Sequence, residues 1–166
     1  MKIGVLSDTH FEDLTDGLAF LEHLCAGPFS DVDLILHAGD IIHPDLLYCF
    51  ESRPVIGVQG NCDEPAADLP EKRIQEICGF RFGMIHGWGG PNGIVGHVLS
   101  AFDDIPLDVL IFGHSHYPLC RQTGDLLLFN PGSATDRRDA PFHSVGIIEL
   151  TDTVKGEIVN LDISTM

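Results

Sequence analysis

Residues 2–10 read KIGVLSDTH, an apolar run followed at once by an aspartate and a histidine. Short runs rich in Val, Ile, Leu and Phe and bounded by Gly, Asp or Asn are typical of buried β-strands. The pattern recurs along the chain, so polar clusters begin where predicted strands end. The strands of this kind are Lys2–Ser7, Leu34–Ala38, Val55–Val58, Arg81–Ile85 and Val109–Phe112.

Seven side chains with metal-binding donor atoms follow these strands. In open α/β sheets, ligands bind beyond the carboxyl ends of parallel strands, where loops from separate strands converge. We therefore expect the seven side chains to meet at one rim of the fold, where they could hold two metal ions. They are Asp8 and His10 in SDTH, Asp40 in HAGD, Asn61 in GNCD, His86 in IHGW, and His114 and His116 in GHSH.

The intervening sequence predicts helices and two hairpins. Helical spacing of leucines, Gly-Pro and Pro-first segments, and turn residues between apolar runs are the signals. These elements are helices Leu14–Leu24, Pro44 to about Ser52 and Gly93–Phe102, hairpins over 72–85 and 119–129, and last strands Ser144–Leu150 and Glu157–Asp162. The predicted fold class is α/β, a four-layer α-β-β-α sandwich of two mixed β-sheets flanked by helices, with the metal site at the carboxyl ends of the strands.

Length and composition limit the alternatives. With 166 residues, 44% hydrophobic and 20% charged, the chain is expected to form a single domain over residues 1–166. It has neither the apolar stretch of a signal peptide nor a run of about 18 apolar residues that would span a membrane. We expect a cytoplasmic protein without a membrane partner.

The charge balance is strongly acidic. Nine Lys and Arg against 25 Asp and Glu give a formal charge of −16, which repels duplex nucleic acid and anionic membranes. A small anionic substrate remains compatible, because bound cations would neutralise charge at the site. The five cysteines, odd in number and without a CxxC pair, do not form a disulfide framework; four are expected to be buried thiols, which fits a reducing compartment.

Taken alone, each polar cluster is a weak signal. An Asp-x-His or Gly-Asp is most often a turn or a helix cap. The ordered recurrence of all five clusters is what favours a metal site. A donor set of carboxylate, imidazole and amide oxygen suits Mn, Fe, Ni or Zn rather than Mg or Ca, and the absence of a thiolate cluster argues against a structural zinc site.

These clusters match a known signature. The chain resembles the calcineurin-like metallophosphoesterase superfamily, whose motifs DxH, GD, GN(H/C)(D/E), H and GHxH correspond to residues 8–10, 39–40, 60–63, 86 and 113–116. The short length, GNCD, the NPGS segment at 130–133 and the two following arginines resemble the small phosphodiesterases of the YfcE and MJ0936 type.

The resemblance implies a cofactor of two divalent metal ions, with manganese favoured and iron, nickel or zinc as alternatives. It also implies a phosphodiesterase that hydrolyses small phosphate esters by in-line attack of a metal-bound hydroxide, with Asp40 and Asn61 as the catalytic residues. The implied ligands are Asp8, His10 and His116 for one ion, Asn61, His86 and His114 for the other, and Asp40 as the bridge.

Other residues receive supporting roles. Many relatives have His where this chain has Cys62, to protonate the leaving group, so protonation is expected to be weak here. Asp63 is a candidate to hold the Asn61 loop or contact a histidine ligand, although an Asx turn explains it equally well. His37 is a candidate to hydrogen-bond behind the ligands, although a histidine at a strand end is more often simply packed. Asn130, Arg137 and Arg138 belong to a loop expected to border the site, and either arginine could clamp a phosphate.

Two alternatives stay open at this point. The retromer scaffold subunit has a similar fold and serves as a protein-binding platform, so a weakly catalytic or non-catalytic scaffold is the first. A nucleotidase or cyclic-nucleotide hydrolase is the second, because the motifs do not distinguish these substrates. A small phosphate ester is the expected partner, together with a homo-oligomer of unspecified size, while the acidic minimal chain disfavours a DNA nuclease.

Overall fold

The computed structural model describes residues 1–49 and 53–163, which contain two five-stranded sheets, two α-helices and one short 3₁₀ helix. The strands are β1 Lys2–Leu6, β2 Leu34–His37, β3 Val55–Gly57, β4 Lys72–Ile77, β5 Phe80–Ile85, β6 Val109–Ile111, β7 Leu119–Thr123, β8 Leu126–Asn130, β9 Ser144–Leu150 and β10 Val154–Asn160. The helices are α1 Leu14–Ala26, the 3₁₀ helix Pro44–Tyr48 and α2 Ile94–Ser100.

Both sheets are mixed, with parallel strands at their centres. The first has the order β10-β9-β1-β2-β3, and β1, β2 and β3 run parallel. The second has the order β4-β5-β6-β8-β7, and β5, β6 and β8 run parallel. The carboxyl ends of the parallel strands in each sheet therefore lie at one edge, which is where the polar motifs follow.

Alternation of side chains along the strands creates the layers. On β1, Val5 belongs to the core between the two sheets, whereas the next residue, Leu6, packs with Leu21 and Leu24 of α1. On the other side, Ile94 and Val98 of α2 pack with residues of β5, β6 and β8. The predicted four-layer α-β-β-α sandwich is confirmed.

Local signals set the limits of α1. The side chain of Asp13 accepts hydrogen bonds from the backbone N–H groups of Thr15 and Asp16, which satisfies two donors that the first turn leaves free. At the other end, the backbone N–H of Gly27 returns to the carbonyls of His23 and Leu24. The predicted helix Leu14–Leu24 is confirmed and extends two residues further.

Two predicted elements are different in the structure. The expected helix from Pro44 to about Ser52 is a 3₁₀ helix that ends at Tyr48, and residues 50–52 lie outside the described part of the chain. It lacks a side-chain cap and buries only Leu46, which gives a longer helix little support. The last strand begins at Val154 and not at Glu157, because the hairpin turn is shorter than expected.

The expectation of buried thiols was wrong. Cys49, Cys62, Cys78 and Cys120 are exposed, and Cys25 is partly buried. Each exposed cysteine lies beside an apolar run without being part of its inward face. Apolar neighbours in the sequence therefore did not predict whether the thiol points into the core. Within residues 1–49 and 53–163, no helix has the length and apolar character needed to cross a membrane.

Candidate metal centre

Loops from both sheets bring the predicted ligands together. Asp8 and Asp40 follow β1 and β2 of the first sheet, and His86 and His116 follow β5 and β6 of the second. All four side chains are buried. Asp8 Oδ1 lies 3.3 Å from His116 Nε2, and Asp40 Oδ2 lies 3.4 Å from His86 Nε2. Residues more than 100 positions apart thus share one small volume.

The nitrogen atoms that face this volume are the ones expected to bind a cation. His86 donates its Nδ1–H to the Ala38 carbonyl at 2.7 Å, and His116 Nδ1 is hydrogen-bonded to the Asp136 carbonyl. A neutral imidazole with a protonated Nδ1 presents a lone pair at Nε2. Backbone carbonyls therefore fix both rings so that their Nε2 atoms are acceptors directed into the site.

Asp8 Oδ1 lies among three such nitrogens. It is 3.3 Å from His116 Nε2, 3.8 Å from His86 Nε2 and 3.9 Å from His10 Nε2. Asp8 Oδ1 and His86 Nε2 are buried, and neither has a hydrogen-bond partner among the described residues. A carboxylate oxygen surrounded by imidazole lone pairs is unfavourable without a cation between them. The donor set therefore fits a metal ion.

Asp40 and the remaining predicted ligands extend the site. Asp40 Oδ2 lies 3.5 Å from His10 Nε2 and 3.4 Å from His86 Nε2, so it separates two histidines that the resemblance assigns to different ions. Asn61 Oδ1 is 2.9 Å from His114 Nδ1. The His114 ring meets the His86 ring edge-on, with centroids 5.2 Å apart. All seven side chains predicted from the motifs are thus neighbours in space.

Three groups of donors satisfy the spacing of a metal site. In each group the donor atoms lie within 4.8 Å of one another. The first group corresponds to the ligand set implied for one ion, and the other two both contain Asp40. The groups are Asp8, His10 and His116; Asp8, Asp40 and His86; and His10, Asp40 and Cys62.

The carboxylates are ionised within this site. Without metal, burial alone would raise the pKa of Asp8, but His116 and His86 in their protonated forms outweigh burial and bring this pKa below its ordinary value. Burial would raise the pKa of Asp40 as well, but His86 and the backbone N–H of Cys62 outweigh burial and lower this pKa far below the usual range. Burial lowers the pKa of His114, whereas the aspartates outweigh burial and raise those of His86 and His116.

The backbone at the motifs is unusual. Five of the seven predicted ligands have positive φ, a conformation that costs energy in residues other than glycine and is common where function constrains the chain. The glycines of the motifs are required by close packing: a Cβ on Gly60 would lie 2.2 Å from Asp40 Oδ1, and one on Gly113 would lie 1.8 Å from Ser7 Oγ. The five ligands with positive φ are Asp8, His10, Asp40, His114 and His116.

Comparison with known proteins agrees with this geometry. The profile of the calcineurin-like phosphoesterase superfamily domain matches residues 1–153. The chain belongs to the calcineurin-like phosphoesterase superfamily. Divalent metal ions are therefore its implied cofactors, and the Asp and His clusters described above are able to bind them.

The relatives of this chain include archaeal proteins. A probable metallophosphoesterase of Methanothermobacter thermautotrophicus is 42% identical over 137 residues, which cover 81% of this chain and 78% of the relative. Phosphodiesterase MJ0936 of Methanocaldococcus jannaschii is 30% identical over 150 residues, which cover 80% of this chain and 83% of the relative.

A solved structure extends the likeness to a eukaryotic protein. Vps29 of Entamoeba histolytica complexed with zinc matches with a TM-score of 0.70 at 26% identity, and the match covers 96% of this chain and 99% of Vps29. Proteins named as phosphoesterases and a protein named Vps29 thus share this shape.

Asp63 has a clear structural role in the candidate metal centre. Its buried carboxylate accepts hydrogen bonds from the backbone N–H groups of Asp40, Ile41, Ile42 and Gly60, at 2.7 to 2.9 Å. It thereby holds the loop that carries Asp40 against the loop that carries Asn61. The sequence named Asp63 as a candidate to hold the Asn61 loop, and the structure shows that it also holds the Asp40 loop.

His37 and Asn130 also stabilise ligand-bearing loops. His37 Nδ1 accepts from the Gly39 N–H, and its Nε2 lies 3.1 Å from Thr9 Oγ1, so it joins the SDTH and HAGD loops. Asn130 donates its amide Nδ2 to the Gly113 carbonyl at 2.9 Å, and its Oδ1 accepts from Gly132. Both side chains are buried and lie behind the ligands.

The sequence reasoning missed three residues that follow β8. Ser133 donates its hydroxyl to the Asp8 carbonyl, Thr135 donates to the Thr9 carbonyl, both at 2.7 Å, and Asp136 supplies the carbonyl that binds His116. They fix the backbone of the SDTH loop and one histidine ring. A run of small polar residues at the end of another parallel strand was the signal that could have identified them.

The remaining candidates, Arg137, Arg138 and Cys62, differ in whether their polar groups are already bound within the protein. Arg137 Nη1 binds the carbonyls of Ala140 and Pro141 in its own loop. The Arg138 guanidinium forms a 3.5 Å ion pair with Asp136, and both side chains are about half exposed. Cys62 is exposed as a residue. Partial desolvation of its thiol and the neighbouring Asp40 carboxylate raise the pKa of Cys62 to about 11.

Proposed function

We propose that the protein is a phosphodiesterase that uses two divalent metal ions, manganese in preference, to hydrolyse small phosphate esters. One ion would be held by Asp8, His10 and His116 and the other by Asn61, His86 and His114, with Asp40 between them. Membership of the calcineurin-like phosphoesterase superfamily supports a hydrolase acting on phosphate esters. The relative named phosphodiesterase MJ0936 supports diesters as the substrate class.

One observation carries the proposal. The buried Asp8 Oδ1 and His86 Nε2 atoms have no hydrogen-bond partner among the described residues, in a site where histidine lone pairs converge on two carboxylates. A protein that binds no metal would have no reason to retain such a costly arrangement. Retention of all seven predicted ligand positions supports catalysis over the scaffold alternative.

When bound, two divalent ions would polarise a phosphoryl oxygen and lower the pKa of water toward about 7. The chain's own residues fix the direction of the atoms that would bind the ions. His86 and His116 are held by backbone carbonyls, so their Nε2 atoms keep a fixed direction. Asn61 is exposed at the rim, where its amide Nδ2, now 3.2 Å from Cys62 Sγ, could turn to donate to a phosphate oxygen.

Charge and composition support the remaining parts of the proposal. The net charge of −16 favours a small phosphate ester over duplex nucleic acid or a membrane surface. Five cysteines without a CxxC pair, four of them exposed, favour the reducing cytoplasm. We retain a single domain and a homo-oligomer as proposals. A nucleotidase or cyclic-nucleotide hydrolase is the second enzymatic candidate.

The test is hydrolysis of bis-p-nitrophenyl phosphate and p-nitrophenyl phosphate by protein stripped of metal, with and without manganese. We expect manganese-dependent cleavage that favours the diester. Asp40→Asn should reduce the rate by about 100-fold or more, because several kcal/mol of transition-state stabilisation depend on the metal pair. Asp152→Asn, which changes an exposed carboxylate in the β9–β10 turn, should match the parent protein.

Each outcome has a separate meaning. Preference for the monoester would replace the diesterase proposal with the nucleotidase alternative. Preference for a 2′,3′-cyclic nucleotide, a diester included as a third substrate, would favour the cyclic-nucleotide hydrolase. No turnover by well-folded protein that binds manganese would favour the scaffold alternative. Equal activity in parent and Asp40→Asn protein would indicate a contaminating phosphatase.

A further inference from the structure

A cleft of about 610 Å³ opens directly beside the predicted metal centre. His114 and Ser115 of the GHSH motif line it, and His114 is also the residue whose Nδ1 lies 2.9 Å from Asn61 Oδ1. The volume lies within the range of roughly 300 to 1,000 Å³ that is usual for small-molecule sites. A substrate with its phosphate at the metals would therefore have one side in this cleft.

The inner wall of the cleft is apolar. Ile94 and Val95 of α2, Phe112 at the end of β6 and Leu119 at the start of β7 line it. At the opening, Tyr117 presents a ring that is 53% exposed. Apolar walls with an aromatic ring at the rim suit a flat, largely apolar group.

The rim of the cleft carries an unusual charge for this protein. Arg121 and Arg138 line it together with Asp139, and Asp136 pairs with Arg138, so two basic side chains meet two carboxylates, whereas the whole chain has 9 basic and 25 acidic residues. The rim of the cleft is therefore much less acidic than the chain as a whole. An anionic group, which most of the surface repels, meets two guanidinium groups here.

Both arginines have donors available. Within the ranges 1–49 and 53–163, the Arg121 guanidinium makes no hydrogen bond and no ion pair, and this side chain is exposed on β7. Over the same ranges, the Arg138 guanidinium pairs with Asp136 alone, at 3.5 Å, and both side chains are about half exposed. Exposed pairs of this kind contribute little, so a ligand could replace this contact at small cost.

We propose, on the basis of the phosphodiesterase function above, that this cleft holds one organic arm of the substrate and that Arg121 and Arg138 select an arm with its own negative charge. The substrate class is a phosphodiester in which one arm combines a flat apolar body with a second anionic group, a carboxylate or a phosphate. The apolar wall contacts the body, and the two guanidinium groups bind the anion.

The test compares three diesters that differ only in one arm: diphenyl phosphate, 4-carboxyphenyl phenyl phosphate and 4-(trimethylammonio)phenyl phenyl phosphate. Their phenolate leaving groups are poorer than nitrophenolate, and ³¹P NMR checks that each diester stays intact during the titration. Their affinities are measured by NMR titration of ¹⁵N-labelled full-length protein with diamagnetic zinc present. We expect the carboxylate to bind about 5-fold tighter than the phenyl arm, with shift changes at residues lining the cleft. The cationic arm should bind more weakly than either.

Matched variants assign this preference to the arginines. The double variant Arg121→Ala/Arg138→Ala should bind the carboxyphenyl and phenyl arms equally, and Arg121→Glu should bind the cationic arm better than the parent does. Arg81→Ala removes the same charge at the opposite end of β5 from His86, and it should keep the parent preference. Each altered side chain is exposed, and thermal unfolding checks that each variant is folded.

Equal affinity for the carboxyphenyl and phenyl arms would overturn the inference, as would a preference that survives in the double variant or the absence of binding. Failure of the proposed function can be distinguished from failure of this inference. The proposed function is tested by hydrolysis of bis-p-nitrophenyl phosphate, whose arms carry no charge. Diester cleavage without arm selection leaves the function and removes the inference. Arm selection without cleavage retains a phosphodiester-binding cleft and removes the catalytic claim.

Discussion

Asp63 holds the metal-binding loops through four backbone N–H groups, which divide evenly between its two oxygens. In Asp63→Asn, one oxygen becomes an amide that faces two donors. We expect a loss of roughly 2–4 kcal/mol in the unfolding free energy of the metal-free protein, together with weaker manganese binding. Urea unfolding and a manganese titration measure the two effects.

Asp152→Asn is the matched control for this change, because Asp152 is exposed in the β9–β10 turn and far from the motifs in sequence. A decrease in stability without any decrease in manganese affinity would show that Asp63 stabilises the fold without positioning Asp40. An effect of the same size in Asp152→Asn would remove the claim altogether.

Cys62 occupies the position where many relatives carry the histidine that protonates the leaving group. The parent enzyme should therefore depend steeply on leaving-group acidity, because little proton donation assists departure. We expect Cys62→His to flatten a plot of log kcat/KM against leaving-group pKa across a series of aryl methyl phosphodiesters. Cys62→Ser controls for removal of the thiol. Parallel plots for all three proteins would count against the hypothesis.

His37 predicts a pH dependence of stability. Burial lowers the pKa of His37 to about 4, below its ordinary value of 6.5. The unfolded chain therefore binds a proton more readily than the folded protein between these values. The contribution of neutral His37 to the unfolding free energy is fully present above pH 6.5. It is lost as the pH falls toward 4, by up to about 3 kcal/mol.

Urea unfolding of metal-free protein at pH 7.5, 6.0 and 4.5 measures this loss. His37→Gln, which cannot titrate, should lose less stability over this range than the parent protein. His23→Gln, on an exposed face of α1, is the matched control and should follow the parent. Identical pH profiles for the parent and His37→Gln would refute the assignment, because the other titrating groups are common to both proteins.

At the level of the elements, the two sheets pack through Phe129 of β8. This fully buried ring lies over two glycines of the β9–β10 hairpin. A Cβ on Gly146 would approach Phe129 Cε1 to 2.3 Å, and one on Gly156 would approach Cε2 to 2.8 Å. Small residues in the first sheet thus make room for a large ring from the second.

Gly146→Ala should overpack this contact and lower the unfolding free energy by about 1–3 kcal/mol, as measured by urea unfolding. The control is Gly96→Ala in α2, where a new Cβ meets nothing within 4 Å. That change should stabilise the protein by up to about 1 kcal/mol through helix propensity. Destabilisation of equal size at both positions would contradict the packing explanation.

The elements also show where local sequence patterns suffice. Apolar runs predicted the parallel strands, and leucine spacing with Gly27 predicted α1, because periodicity and breakers are local signals. The 3₁₀ helix at Pro44–Tyr48 and the start of β10 at Val154 were predicted incorrectly. Hairpin length and the support that a short helix finds depend on contacts with distant residues, which local patterns do not contain.

At the scale of the whole molecule, the motifs predicted which ligands would meet, because each lies at the end of a parallel strand. They did not predict how the ligands are held. Ser133 binds the Asp8 carbonyl across 125 positions, and Asp136 orients His116 from another loop. Such side-chain-to-backbone contacts depend on how the two sheets are placed against each other. The cleft that Arg121 and Arg138 line also depends on how distant segments pack together, so the motifs did not predict it.

The central claim is that seven side chains from loops of both sheets hold two metal ions. Crystals grown with manganese and measured across the manganese absorption edge test it most directly. We predict two anomalous peaks about 3.5 to 4 Å apart, with Asp40 between them, His10 and His116 beside one peak and His86 and His114 beside the other. A single peak, peaks bound by other residues, or none at this site would contradict the two-metal account.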